Sequence, residues 1–170
     1  MRFTSVAIAA ALTALALSTS LSAQRTDEPI DARSLALVEQ GRAARSAGDL
    51  DRATGLFESA LAVDPRNRGA FIQLAGVAQA QKLPGKAIRF YREALALEPN
   101  DRLALKGQGE ALVAKGAVAQ AKINLGKIRV LCAKAACPEA TTLAAAIAKG
   151  PPVQTAALPT RWRKRRSSSG

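Results

Sequence analysis

The chain has 170 residues, with 25 Lys plus Arg against 13 Asp plus Glu, no His, two Cys, one Trp, one Tyr and four Phe. That length suits a single domain of ordinary size, and the absence of His excludes Ser-His-Asp triads, Cys-His dyads and any His-ligated zinc or haem site. A composition rich in Ala, Leu, Arg and Lys and poor in aromatics favours helices over a core built from sheets.

In chain order, an apolar segment comes first. Arg2 opens a short basic region, residues 6–17 are apolar apart from Thr13, and residues 18–23 are small and mildly polar. This pattern predicts a secretory signal peptide over residues 1–23, cut after Ala23 in preference to Ser22. Its apolar core is shorter than the roughly 20 residues that a membrane-spanning helix needs, and no Cys lies near the cut for lipidation. The expected location is periplasmic or secreted after cleavage, with residues 24–33 as a linker.

The middle of the chain repeats itself. A shift of 34 residues superposes Ala36 on Ala70, Ala44 on Ala78, Ala53 on Ala87, Ala60, Leu61 and Ala62 on Ala94, Leu95 and Ala96, and Pro65 on Pro99. Leu37 with Phe71, Leu56 with Phe90, Phe57 with Tyr91 and Asp64 with Glu98 are conservative matches at the same shift. Each unit reads as two helices and a short turn. In the first, Ser34 is expected to cap a helix carrying Leu37, Val38 and Ala44, and Gly48 breaks it. Asp49 caps a second helix with Ala53, Phe57 and Ala60 on one face, which Pro65 ends. The second unit repeats this from Asn67, with Pro84 in the first turn of its second helix and Pro99 closing it.

These units resemble tetratricopeptide repeats. Leu37, Gly41, Ala44, Ala53, Phe57, Ala60 and Pro65 follow the pattern of that family in the first unit, with Gln40 out of type. Phe71, Leu74, Ala75, Ala78, Ala87, Tyr91, Ala94 and Pro99 follow it throughout the second. A third unit, 102–135, keeps Leu105, Gly109, Leu112, Gly116 and Ala121 in phase. Gln108 there replaces the expected Leu, Leu125 the aromatic and Ile128 the Ala, and Ala133 stands where Pro closed the earlier units. Its second helix is expected to bury Val118, Ala121, Leu125, Ile128 and Leu131. Residues 138–149 read as a helix that closes the stack, entered through Pro138 and Glu139 and stopped by Gly150 and Pro151. The expected fold class is all-α: an α-solenoid of about three helix pairs plus a C-terminal capping helix, occupying residues 34–150.

Cys132 and Cys137 flank the joint between the third unit and the closing helix. A structural disulfide suits an oxidising compartment. Two thiolates without His cannot complete a tetrahedral zinc site, and the spacing lacks the C-x-x-C form of thiol oxidoreductases. No cofactor or metal is expected.

The resemblance implies a concave groove lined by the first helices of successive units, holding a peptide or a partner's helix. It places Leu35, Val38, Arg42 and Arg45 on that surface in the first unit, Ile72, Gln73, Gly76 and Gln79 in the second, and Leu103, Lys106, Glu110 and Val113 in the third. The family's carboxylate clamp for chaperone C-termini wants Lys, Asn and Arg where this chain has Val38, Arg42, Gln73, Leu103 and Gly107, so that ligand is not implied.

Charge grows along the chain. The first unit holds four basic against five acidic residues, the second five against three and the third seven against one. Residues 151–170 have too few apolar side chains for a core and read as a disordered tail. Its run Arg161, Trp162, Arg163, Lys164, Arg165 and Arg166 suits an anionic envelope surface or another polyanion more than nucleic acid, which the export signal disfavours. Asp49 with Asp51 and Glu98 with Asp101 are paired carboxylates at helix ends, where capping explains them. No enzymatic activity is expected. The implied function is an exported protein–protein interaction module or scaffold in cell-envelope assembly or maintenance, and a polyanion-binding protein acting through its basic tail is the alternative. A second copy of the chain is a further candidate partner.

Overall fold

Helix ends in this chain are set by short polar side chains and prolines, and the result is an all-helical stack. The computed structural model describes residues 29–133 and 135–152. The expected signal peptide and the basic run at 161–166 lie outside the described residues. Among the described residues seven helices follow in order: α1 (Ala32–Ser46), α2 (Leu50–Val63), α3 (Arg68–Ala80), α4 (Pro84–Leu97), α5 (Arg102–Ala114), α6 (Val118–Cys132) and α7 (Pro138–Lys149). There is no strand among the described residues, and no helix there is long and apolar enough to cross a membrane.

Side-chain caps satisfy amides that the first turn leaves free. Asp49 accepts from the Arg52 amide at 3.0 Å, Asn67 from the Ala70 amide at 3.2 Å and Asp101 from the Ala104 amide at 2.8 Å. The cap of α1 is Asp31, which accepts from the Arg33 amide at 2.7 Å. Ser34, expected in that role, lies inside the helix and is fully buried. Its hydroxyl donates to the Ala60 carbonyl at 2.7 Å and accepts from Asn67 Nδ2 at 2.8 Å, so it ties α1, α2 and the start of α3 together. The turn inside each pair needs a left-handed residue at one repeating position: Gly48 (φ 83°), Lys82 (φ 59°) and Gly116 (φ 87°). Only the middle unit meets that need without glycine.

Each helix packs on the next. In addition α1, α3, α5 and α7 touch in sequence, whereas α2, α4 and α6 do not touch one another. The first set therefore forms the inner, concave layer and the second the outer, convex one. Aromatic rings fill the pairs where a side chain is missing opposite. A Cβ on Gly41 would overlap the Phe57 ring, one on Gly107 would overlap Tyr91, and one on Gly109 would lie 2.6 Å from the aliphatic Leu143. Such packing to full density is what makes one arrangement unique.

The third unit departs from the others in a coordinated way. On α6 the buried side chains are Ala121, Asn124, Leu125, Ile128 and Cys132. Leu131, expected on this face, is 38% exposed, because a helix turns about 100° per residue and brings Cys132 inward instead. Gln108 on α5 faces Asn124, which donates to Gln108 Oε1 at 2.9 Å and to the Leu105 carbonyl at 3.2 Å. Two polar side chains thus satisfy each other in the core. Cys132 and Cys137 are bonded (S–S 2.06 Å, Cα–Cα 5.9 Å), joining the end of α6 to the start of α7.

Candidate functional site

The inner layer carries a ladder of polar side chains that crosses from helix to helix. Arg45 reaches from α1 to donate to Gln73 Oε1 on α3 at 2.9 Å. It lies over Gly76, where a Cβ would stand 2.8 Å from its Nη1, so the missing side chain makes room for the guanidinium. Gln79, two turns further along α3, donates weakly to the Gly107 carbonyl on α5 at 3.3 Å and accepts from the Tyr91 hydroxyl at 2.9 Å. Lys106 and Glu110 form an i,i+4 pair at 3.8 Å on α5.

Tyr91 enters this layer from behind. Its ring is buried on α4, and its hydroxyl emerges beneath the ladder because Gly107 leaves the gap open. Burial pushes its pKa up to about 12, Glu110 adds to that rise and Arg45 opposes it. One phenol therefore senses charges from both ends of the ladder. In the sequence Tyr91 stands as the counterpart of Phe57, and nothing in the spacing joins it to Gln79 or to the glycine opposite it.

The other expected positions are distributed unevenly. Ile72 and Gln73 are half-buried, and Leu35 and Leu103 are exposed at the starts of their helices. Arg42 is exposed and paired with Glu39 at 2.7 Å. Val38 is only 3% exposed and packs in the core of the first pair, and Val113 is buried as well. Neither presents a side chain to a ligand: Val38 clusters with residues of α2 and α3, and Val113 with Ala121 of α6, with Ile147 of α7 packed against that cluster. The carboxylate pairs serve the helix ends: Asp49 and Asp101 are caps, Asp101 also pairs with Arg68 at 2.9 Å, and Glu98 accepts from the Asn100 amide at 3.2 Å.

Residues 36–69 match the tetratricopeptide repeat family. None of the curated proteins matches the chain. Among solved structures, the first TPR domain of Spaghetti (RPAP3) bound to the HSP90 peptide SRMEEVD is similar with a TM-score of 0.63 at 23% identity, covering 71% of this chain and 94% of that one. The second TPR domain of human RPAP3, in complex with the HSP70 peptide SGPTIEEVD, has a TM-score of 0.62 at 18% identity over 68% of this chain and 95% of that one. The Sgt2 TPR domain from Aspergillus fumigatus has a TM-score of 0.63 at 22% identity over 77% and 95%. These likenesses establish a TPR-type solenoid for the described helices. In TPR terms α1, α3 and α5 are the first helices of three repeats, and the ladder of Arg45, Gln73, Gln79, Lys106 and Glu110 lies on the layer they share.

Proposed function

We propose that the protein is an exported protein–protein interaction module that binds an extended segment of a partner in its concave layer, in assembly or maintenance of the cell envelope. The observation that carries this reading is the polar ladder across α1, α3 and α5, whose side chains lie on one curved surface while the apolar faces of the same helices are consumed in the core. A rigid scaffold that presents such groups recognises a ligand without reorganising itself. Two structures similar in fold hold peptides, SRMEEVD and SGPTIEEVD.

Acidic chaperone tails of that kind do not suit this surface. Val38 is buried, Arg42 is paired with Glu39, Leu103 is apolar and Gly107 sits against Tyr91. What remains is mixed: Arg45, oriented by Gln73, presents a positive group, the loose Lys106–Glu110 pair presents both signs, and Gln73 and Gln79 offer amides. The fitting ligand is a segment carrying both signs of charge. The Cys132–Cys137 bond fits the same reading, because such bonds persist in an oxidising compartment, and this one fastens the closing helix to the stack. The test is selection from a displayed library of random peptides against the chain from Gln24 onward. Selected peptides are expected to bind at least about tenfold more weakly to Gln73→Ala and Lys106→Ala variants. Equal binding to parent and both variants would overturn the concave reading.

A further inference from the structure

The outer surface of the third repeat differs from those of the first two, and the difference is measured within the chain itself. At the outward positions of α2 the chain has Gly55, Glu58, Ser59 and Ala62; at the same positions of α4 it has Arg89, Arg92, Glu93 and Ala96. On α6 those places hold Ile123, Gly126, Lys127 and Val130. Ile123 is 61% exposed and Val130 is 79% exposed, and a Cβ on Gly126 between them would meet open space.

Single exposed aliphatic side chains are ordinary, but these form a line. At 100° per residue, Ala119, Ile123, Gly126 and Val130 fall within an arc of about 60°. That arc lies opposite the buried Ala121, Leu125, Ile128 and Cys132. Lys122 and Arg129 border the line on one side and Lys127 on the other, and α6 has no acidic residue. The cations extend beyond this helix. Lys86, Arg89 and Arg92 on α4 line a cleft together with Lys115, three residues before α6, and Glu93 is the acidic residue among them.

We propose that this convex face, the apolar line of α6 with the cations of α4 and α6 around it, docks on an anionic lipid bilayer. The breadth of the positive surface decides the occupant. A second copy docking through the same face would set like charges against each other, and a single acidic helix would cover the line of α6 but leave the α4 cations unmatched. A plane of anionic headgroups meets both, while Ile123 and Val130 enter the acyl boundary. This orientation leaves the concave layer facing away from the membrane and free to hold a partner.

The experiment is co-sedimentation of the chain from Gln24 onward, which keeps every described helix and the basic run at 161–166, with phosphatidylglycerol-containing vesicles and with pure phosphatidylcholine vesicles. The parent is expected to bind the first and not the second. Ile123→Ser combined with Val130→Ser changes no charge and is expected to weaken binding at least about tenfold. Ala62→Ser, at an outward position of α2, is expected to leave binding unchanged, and circular dichroism checks that both variants remain helical. Replacing Lys122, Lys127 and Arg129 by Gln is expected to cost on the order of a hundredfold, at roughly fivefold for each cation. Binding of the Ile123→Ser/Val130→Ser variant at the parent's level would assign the affinity to the basic run and overturn the proposal. Equal binding to neutral vesicles, or none to anionic ones, would overturn it as well.

Discussion

Raising the pH tests the ladder from beneath, because the chain has one tyrosine and that tyrosine is Tyr91. Its pKa is raised from 10.0 to about 12, first by burial and then by Glu110, against the opposing Arg45. Below pH 10 the phenol is neutral whether the chain is folded or not, so the group contributes no pH dependence there. Between pH 10 and about 12 the unfolded chain releases the proton and the folded chain holds it. Stability must fall by about 1.4 kcal/mol per pH unit across that window, a loss of about 2 to 3 kcal/mol in all. Phenolate absorbance of the native protein reads the midpoint directly. Urea denaturation at several pH values reads the stability, and Tyr91→Phe supplies the baseline in which lysines still titrate but this phenol is gone. The variant lacks the bond to Gln79 and starts lower, yet its curve is expected to be flatter above pH 10. A native midpoint near 10, or equal slopes for parent and variant, would refute the buried and charge-coupled placement of Tyr91.

Other consequences of the packing can be checked in the same way. Ser34→Ala removes a donor from the Ala60 carbonyl and an acceptor from Asn67, and is expected to cost about 1 to 3 kcal/mol in urea denaturation; a surface-like change of a few tenths would contradict the buried network. Lys82→Gly relieves the left-handed backbone at that turn and is expected to raise stability by up to about 1 kcal/mol, whereas Gly48→Ala lowers it. Replacing both Cys132 and Cys137 by Ser removes a short loop closure worth about 2 kcal/mol. Hydrogen exchange should then show faster opening of α7 amides, with α1 to α4 little changed.

Much of this architecture was legible because it is written twice. The 34-residue period, the breaks at Gly48, Pro65, Pro84 and Pro99 and the closing helix at 138–149 all follow from local chemistry that the backbone must obey wherever it occurs. What was not legible depends on which face turns inward. Ser34 has the chemistry of a cap, but Asp31 starts the helix three residues earlier and the hydroxyl goes to the core. Val38 and Val113 are buried although the resemblance implies them in the groove, and Leu131 is exposed although the helical spacing puts it inward, because an apolar side chain carries no mark of which neighbour will cover it. Gln108 read alone is a polar residue where Leu belongs; only the fold shows Asn124 opposite it. The ladder shares this character, since its two bonds between first helices, Arg45 with Gln73 and Gln79 with Gly107, join residues 28 apart that the repeat itself does not align.

The notch at Gly109 has a consequence for how long such an array can be. Leu143 of the closing helix fits there because no Cβ stands in its way. The same position in the second unit is Ala75, whose methyl would occupy that space. The closing helix is thus keyed to the third unit against the second, and in the first unit, where Gly41 holds the same position, the notch is taken by Phe57. Deleting that unit would leave the key without a lock, and inserting a copy of the second unit after it would do the same. Loss of the third unit, or a copy of the second placed after it, is therefore not neutral for this chain, and the array can change its length only upstream of the third unit.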